Sequence, residues 1–247
     1  MSGHSKWSTI KRKKGAADAK RGRLFSKLNK EIMLAARAGG GDPETNIRLR
    51  NAIATARAAN MPKENVSRAL KKGTGELGGE QINEYAYEGY GPGGVAIIVE
   101  AVTDNKNRTT AEVRHAFAKY NGNLGESGCV GWMFDRKGHF VFPREGIEMA
   151  KFEEVAIENG AEDIKEEDDT IEVTCAVSDF NTLQEAFIKA GYQSETAELA
   201  QIPQTLLKLE GKQVETMLKL IDALEEQDDV NNVWSNFDFD EADMPQD

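Results

Sequence analysis

The sequence predicts an α+β multidomain protein with an N-terminal three-helix bundle and two α+β domains, one of them ferredoxin-like and inserted in the other. Its 247 residues are enough for two or three domains. Apolar residues recur at helical spacing as far as residue 73, and a glycine-rich linker at 73–79 then precedes segments with the pattern of strands. Residues 135–205 follow the order β-α-β-β-α-β, which is that of ferredoxin-like domains.

The predicted bundle covers residues 24–78. Apolar side chains at spacings of three and four from Leu24 onward define one face of a first helix. We expect the second helix to begin at Pro43 with Asp42 as its N-cap, because Asp accepts hydrogen bonds from unpaired helical amides and Pro fits the first helical position. The third helix is expected to begin after residues 60–62.

The stretch before the bundle, residues 1–23, is small, polar and basic, and we expect it to form a mobile arm. Its glycines, including Gly22, are expected to interrupt any long helix. Trp7 is its one large apolar residue, and two roles fit it: docking on the bundle, or stacking on a base or ribose.

The middle domain is predicted to be discontinuous. Its elements are expected to be strands at 82–90, 95–102 and 129–134 with a helix at 107–120, and later a helix at 212–226 and a strand at 229–237. The last helix and strand cannot bury their apolar faces alone, so we expect residues 206–238 to complete the domain begun by 79–134, with 135–205 inserted. The final segment, 239–247, is expected to be an acidic, disordered tail.

The two parts of the chain differ in net charge far more than the net charge of the whole chain suggests. The sequence has 31 basic and 42 acidic residues, yet the part up to Lys72 contains 18 basic and five acidic residues, a net charge of +13. The remainder therefore contains 13 basic and 37 acidic residues, a net charge of −24. A basic end on an acidic body indicates a polyanionic partner, and phosphate backbones are the commonest large polyanions in a cell.

The basic side chains of the arm and bundle are the predicted nucleic-acid contacts. They are Lys6, Lys11, Arg12, Lys13, Lys14, Lys20, Arg21, Arg23, Lys27, Arg48, Arg50, Arg57 and Arg68. We expect mainly phosphate contacts, which give affinity without sequence information. None of the predicted helices is a clear major-groove reader, so recognition of a specific promoter has less support than nucleic-acid binding itself.

Composition argues against several other classes of protein. No apolar run approaches the roughly 18–20 residues that span a bilayer, and no apolar segment follows the N-terminal charges as in a secretory signal. Cys129 and Cys175 are far apart and lack the spacing of a disulfide framework or a zinc site. A location in the reducing cytoplasm is therefore expected, and both cysteines are expected to be small core residues.

A catalytic site is not predicted. Dinucleotide, P-loop, serine-hydrolase and metalloprotease motifs are absent from the sequence. The glycine-rich segment at 91–94 fits a hairpin turn better than a phosphate loop, and His115 has no assignable catalytic partner. The acidic run at 166–169 lacks the alternate spacing of a calcium loop. We therefore expect no enzymatic activity, no metal, no cofactor and no small-molecule substrate.

A polar loop follows the most apolar predicted strand. It contains Asp104, Asn105, Asn107 and Arg108, at the junction between a strand and a helix. Capping of the following helix by Asp104 or Asn105 would explain the presence of only one polar residue in this loop. A binding or interdomain role for the loop is the alternative that the sequence leaves open.

Several longer motifs resemble those of one known family. They are GHSKW at 3–7, GGGDP at 39–43, NMP at 60–62, YEGYGPGG at 87–94, TDNKNRT at 103–109, EVRHAF at 112–117 and GNLG at 122–125. This pattern is similar to that of the YebC/PmpR family, which also includes the mitochondrial translational activator of cytochrome c oxidase. The resemblance extends from the N-terminus to about Phe134, and the later part fits in length and order with weaker motifs.

The resemblance implies three domains, no enzymatic activity and a regulatory function. Bacterial members of the family are usually described as DNA-binding transcriptional regulators. Others are described as translation factors that act at the ribosome, through ribosomal RNA, and relieve stalling on proline-rich stretches. Both functions require a cationic surface for a phosphate backbone, so the sequence leaves DNA and ribosomal RNA as alternative partners and leaves the oligomeric state open.

Overall fold

The computed structural model describes residues 18–78, 82–167 and 169–243. Within them the chain is a mixed α+β protein with seven α-helices and antiparallel four-stranded sheets. Contacts divide the described residues into two compact units, one formed by those up to 131 together with those from 206 onward, and the other by those within 132–205.

The helices and strands lie in a simple order along the chain. They are α1 Asp18–Gly39, α2 Ile47–Ala58, α3 Lys63–Gly73, β1 Asn83–Tyr90, β2 Ala96–Thr103, α4 Lys106–Lys119, β3 Asn123–Leu124, β4 Phe134–Pro143, α5 Met149–Glu158, β5 Ala161–Glu166, β6 Thr170–Cys175, α6 Phe180–Lys189, β7 Thr196–Pro203, β8 Leu207–Lys208, α7 Lys212–Glu225, β9 Val230–Ser235 and β10 Phe237–Asp238. Short 3₁₀ turns occur at Pro92–Gly94, Gly131–Met133 and Glu241–Asp243.

The first three helices enclose an apolar core. Its buried residues include Ile32 from α1, Leu49 and Ala56 from α2 and Ala69 from α3. The alanines keep side chains small where the helices meet, so three short helices can approach closely. Isolated helices as short as α2 and α3, with 12 and 11 residues, are marginal in water, and this shared core stabilises them.

Helix α1 begins six residues earlier than the sequence predicted. It starts at Asp18 instead of Leu24, so the expectation that Gly22 would interrupt a helix is wrong. Gly22 is exposed in the helix interior, where it costs about 1 kcal/mol relative to Ala. The packed face of α1 further along compensates for this cost. The stretch expected to be a mobile arm is therefore helical from Asp18, and residues 1–17 lie outside the described part of the chain.

The N-cap of α2 is Asn46, and the prediction of Asp42 was wrong. The Asn46 Oδ1 atom accepts a hydrogen bond from the Leu49 amide at 3.1 Å, and its Nδ2 atom donates to the carbonyls of Ala35 at 2.7 Å and Gly40 at 2.8 Å. An amide side chain satisfies the start of α2 and the end of α1 together, whereas a carboxylate could not donate. Asp42 accepts from the Glu44 amide in the preceding turn.

The sheet of the first unit has the strand order β3-β1-β2-β9, with antiparallel pairing throughout. Strand β2 is central, and seven of its eight residues are buried. Helices α4 and α7 cover one face, where Ile97 and Val99 from β2 meet Phe117 of α4 and Met217 of α7. The segment after residue 206 therefore supplies one strand and one covering helix to this sheet.

The predicted strand at 129–134 does not form. These residues make a turn and a 3₁₀ turn, and β4 begins only at Phe134. The reason is Glu88, whose carboxylate accepts hydrogen bonds from the amides of Gly128 at 2.8 Å, Val130 at 2.8 Å and Gly131 at 2.7 Å. Amides bound to a side chain are unavailable to a strand ladder.

The predicted acidic tail also begins too early. Phe239 is 1% exposed and stacks on Phe237 with 5.7 Å between ring centroids. Its aromatic ring belongs to the core between the sheet and α7. Residues 244–247 lie outside the described residues.

The second unit runs in the order β4-α5-β5-β6-α6-β7, and its antiparallel sheet has the strand order β5-β6-β4-β7. Helices α5 and α6 pack on one face of this sheet through a cluster of aromatic rings. Phe187 of α6 lies 4.6 Å from Phe142 of β4 and 5.1 Å from Phe152 of α5, measured between ring centroids. Such offset and edge-to-face contacts add to the stabilisation from burial.

Candidate nucleic-acid interface

The predicted phosphate contacts divide into residues inside and outside the described part of the chain. Lys6, Arg12 and the lysines at 11, 13 and 14 lie outside it, and Lys20 lies in α1. Seven predicted residues can be placed with their side chains: Arg21, Arg23, Lys27, Arg48, Arg50, Arg57 and Arg68. They fall into three groups with different surroundings.

The first group lies on α1 and faces residues 225–229, which comprise the last residue of α7 and the connection to β9 and which we call the acidic turn. Lys27 Nζ donates to the Glu225 carbonyl at 2.8 Å, and Arg23 lies 3.6 Å from the Glu226 carboxylate. Lys30, which continues this face, donates to the Asp228 carbonyl at 2.8 Å. Arg21 instead lies over the ring of Phe25, at 5.4 Å from its centroid. Most of these α1 cations therefore already have acceptors within the chain.

The second group holds the bundle together. Arg48 pairs with Glu31 at 2.8 Å and with Glu84 at 2.5 Å. The hydrogen bond to Glu31, together with that to Glu84, raises the pKa of Arg48 above its usual value. Arg50 donates to the carbonyls of Pro43 and Glu44 at 3.0 and 2.8 Å, which fixes the turn before α2.

The third group is available to a partner. Arg57 and Arg68 are exposed, and neither forms an ion pair with any side chain in the described ranges. Lys71 and Lys72 lie three and four residues after Arg68 on α3, so the three side chains share one side of that helix. We call Arg68, Lys71 and Lys72 the α3 basic face. The two lysines were missed in the prediction, although their spacing from Arg68 was visible in the sequence.

The polar loop at 104–109 contributes both a cap and an ionic contact. Asn105 is the N-cap of α4 and accepts from the Arg108 amide at 3.1 Å. Asp104 pairs with the Arg108 guanidinium at 3.0 Å. Arg108 also donates to Asp229 at 2.7 Å, whereas Asn107 is exposed and has no side-chain hydrogen bond to the described residues. Capping therefore accounts for Asn105, and Arg108 takes part in a wider network.

Asp229, which the sequence did not single out, is the centre of that network. Its Oδ2 atom accepts from Thr103 at 3.0 Å, Arg108 at 2.7 Å and Thr109 at 2.8 Å, while Oδ1 accepts from Lys30 at 2.7 Å. Burial by itself raises the pKa of Asp229, but the hydrogen bonds from Lys30, Arg108 and Thr109 outweigh it and hold the pKa well below its usual range. The buried carboxylate thus joins α1 to the β2–α4 junction.

Groups that could support catalysis are poorly placed for it. His115 is exposed on α4 and has no hydrogen bond or ion pair with the described residues. Burial raises the pKa of Cys175 to about 11 and also raises that of Cys129, which favours the unreactive thiols. The glycine-rich turn at 91–94 packs against α7 and its flank: a side-chain carbon at Gly93 would meet Leu209.

The described residues contain no group of three or more His, Cys, Asp or Glu side chains placed to hold a metal ion. None of their helices has both the length and the apolar composition to cross a bilayer.

Comparisons with known proteins place the whole chain among relatives of one kind. A family profile described as the TACO1/YebC protein N-terminal domain matches residues 5–76, and one described as the TACO1/YebC second and third domain matches residues 82–237. The chain is 58% identical over 244 residues to a probable transcriptional regulatory protein of Geotalea uraniireducens, a match that covers 99% of this chain and 98% of the relative.

Other relatives are similar over the same length. A probable transcriptional regulatory protein of Geobacter sulfurreducens is 56% identical, with 99% of this chain and 98% of the relative covered. One from Pelotomaculum thermopropionicum is 53% identical, with 98% and 100% covered. The crystal structure of a conserved hypothetical protein from Aquifex aeolicus is 47% identical and has a TM-score of 0.85, covering 92% of this chain and 93% of that one.

Proposed function

Because this chain belongs to the TACO1/YebC family, we propose that it is a non-catalytic regulatory protein that binds nucleic acid through its N-terminal part. The names of its relatives support the regulatory role, since they are called probable transcriptional regulatory proteins. We propose DNA as the nucleic acid on the same ground. The protein would act in the cytoplasm, without a cofactor or a small-molecule substrate.

The observation that carries this proposal is the α3 basic face. Arg68, Lys71 and Lys72 project from one helix with no ion pair to the described residues, in a region whose net charge is +13. Exposed cations without internal partners lose little on binding a phosphate, and they release counterions from it. The acidic remainder, with its net charge of −24, repels a phosphate backbone and so confines it to this end.

Within this proposal the residues have different roles. Arg57 and the α3 basic face contact phosphates, together with Lys6, the basic run at 11–14, Lys20 and Arg21. Arg48 and Arg50 support the bundle through their internal contacts. We also propose that the chain is divided into the arm, the bundle, a discontinuous α+β middle domain and an inserted ferredoxin-like domain. The separate strand orders of the two four-stranded sheets support the last two of these domains.

Crosslinking in cells tests the proposal and identifies the nucleic acid. The protein is crosslinked in vivo with ultraviolet light, purified under denaturing conditions, and the attached nucleic acid is sequenced. Recovery of promoter DNA is the expected result. Recovery of ribosomal RNA would move the function to translation while retaining the cationic surface, and recovery of neither above an uncrosslinked control would contradict nucleic-acid binding.

A further inference from the structure

The cations of α1 meet an acidic partner within the same unit. Arg23, Lys27 and Lys30 are spaced by four and three residues, so they lie along one side of α1. All three face the acidic turn at 225–229, with the distances of 2.7 to 3.6 Å given above. Four of the predicted phosphate contacts lie on α1: Lys20, Arg21, Arg23 and Lys27. Two of them, Arg23 and Lys27, thus already contact oxygen atoms of the chain itself.

The acidic turn offers α1 the same chemistry as a phosphate backbone. Its sequence, Glu-Glu-Gln-Asp-Asp, contains four carboxylates in five residues. It also begins at the last residue of α7, where the final carbonyls lack intrahelical donors and the helix dipole is negative. Lys27 donates to one of these final carbonyls, that of Glu225, and Lys30 donates to the carbonyl of Asp228 further along the turn. A cation that is satisfied by this turn is one that a phosphate would otherwise bind.

The contacts between α1 and the acidic turn become more buried from Arg23 to Lys30. Arg23 and Glu226 are 34% and 60% exposed, and an ion pair of that kind contributes little to stability. Lys30 and Asp229 are 18% and 6% exposed and form the inner contact. The outer cations can therefore exchange partners while Lys30 keeps α1 attached.

The buried apolar cluster that joins α1 to the sheet has three members, which makes such an exchange feasible. They are Leu34, Ile82 and Val102, with Met33 beside them. Polar contacts such as that of Arg37 with the Ile82 carbonyl supply the rest. Interfaces of this composition resemble transient ones and permit relative motion.

We propose that the acidic turn is an internal competitor for nucleic acid. In the free protein it occupies Arg23, Lys27 and Lys30, and it releases Arg23 and Lys27 when a polyanion binds the N-terminal part. This inference rests on the proposed function and adds a regulation of the same surface. The free protein then binds nucleic acid more weakly than it would if Arg23 and Lys27 had no contacts with the acidic turn.

Removing charge from the turn tests this competition. The double variant Glu226→Gln/Asp228→Asn removes two exposed carboxylates from the turn, and Glu153→Gln/Glu154→Gln removes two exposed carboxylates from α5 in the other unit, with the same change in net charge. Binding is measured by fluorescence anisotropy with a labelled mixed-sequence DNA duplex of about 20 base pairs and with a single-stranded RNA of similar length. At about 100 mM salt we expect the turn variant to bind roughly 3–10-fold more tightly than the wild type, and the control to stay within about two-fold.

Two other results of the binding experiment would contradict the competition. Equal tightening by both variants, or by neither, would overturn the competition and leave the proposed function intact. Absence of binding to both probes by all three chains would overturn the proposed function and this inference with it.

Hydrogen exchange of the wild type gives a second readout. The Gln227 amide donates to the Leu224 carbonyl and the Val230 amide to the Gln227 carbonyl, both at 3.2 Å. Saturation with the DNA duplex should make these amides exchange faster if the turn is released. Unchanged or slower exchange while DNA is bound would overturn the release step.

Discussion

Lys30 of α1 lies 2.7 Å from Asp229, which follows it by 199 residues in the chain, and the two side chains form a largely buried ion pair. Asp229 is held on its other oxygen by Thr103, Arg108 and Thr109 before α1 is considered. The carboxylate is thus preorganised by the sheet and its following helix, and Lys30 attaches the bundle to it. Removing the carboxylate leaves both Lys30 and Arg108 without their main partner.

We expect Asp229→Asn to lower the free energy of unfolding of the first unit by roughly 3 kcal/mol, because it leaves the mostly buried ammonium group of Lys30 without a carboxylate and leaves Arg108 with Asp104 alone. Urea unfolding can be followed by the fluorescence of buried Trp234 in a background with Trp7 and Trp132 changed to Phe. The neighbouring Asp228→Asn is the matched control, since that carboxylate is exposed, and should change stability by less than about 0.5 kcal/mol. Equal effects of the two substitutions would contradict the role assigned to Asp229.

The same carboxylate should make the stability depend on pH. Its pKa in the folded protein lies below its unfolded value of about 3.9, so it stabilises the fold fully above that value. This stabilisation is lost as the pH falls from about 5 toward the folded pKa. We expect the unfolding free energy of the wild type to fall more steeply between about pH 5 and pH 3 than that of Asp229→Asn, measured by the same urea titrations. Parallel pH curves would show that Asp229 does not titrate in this way.

Asp229 also shows where sequence reasoning reached its limit. It belongs to a run of acidic residues that has the composition of a solvated surface, and its burial depends on Lys30 and Arg108, which are distant in sequence. The apolar periodicities of the helices and of β2 were sufficient to predict those elements, because each can be seen within one segment. Contacts between remote polar side chains leave no such local pattern.

Polar contacts that leave no local pattern also explain why the predicted N-cap of α2 and the predicted strand at 129–134 were wrong. The adjacent Pro43 predicts Asp42 as the N-cap of α2, but Asn46 occupies that position because its side chain also donates to the carbonyls of Ala35 and Gly40 at the end of the preceding helix. A strand at 129–134 was expected from its apolar residues, yet Glu88 of β1 takes the amides that a strand would need. In both cases a polar contact with a residue outside the predicted element decided the local structure.

Glu88 leads to a third prediction. Burial acts to raise its pKa, but the hydrogen bonds from Gly128, Val130 and Gly131 lower it below the usual value, so the carboxylate is charged in its backbone site. Replacing it with Gln removes one acceptor oxygen, and we expect stability to fall by about 1–2 kcal/mol. Hydrogen exchange at these three amides should become at least several-fold faster. Glu126→Gln, an exposed change in the same loop, is the control and should leave their exchange unaltered.

The α3 basic face gives a prediction about binding. The triple variant Arg68→Ala/Lys71→Ala/Lys72→Ala should weaken binding to DNA and reduce the magnitude of the slope of log K against log salt by about 0.9 for each phosphate that the variant no longer neutralises. Arg48→Ala should leave that slope unchanged, because Arg48 is engaged with Glu31 and Glu84, and should instead destabilise the bundle. The opposite ranking of the two variants would move the binding surface from α3 to the Arg48 side.

The most direct test of nucleic-acid binding through the N-terminal part is the salt dependence of the full chain and of a variant with Lys11, Arg12, Lys13 and Lys14 changed to Ala. Binding to a labelled duplex of about 20 base pairs is measured from about 50 to 300 mM salt. We expect log K of the wild type to fall linearly with log salt and the variant to have a slope smaller in magnitude by up to roughly 3–4. An affinity that does not change with salt, or an identical slope for the two proteins, would contradict electrostatic binding through this end of the chain.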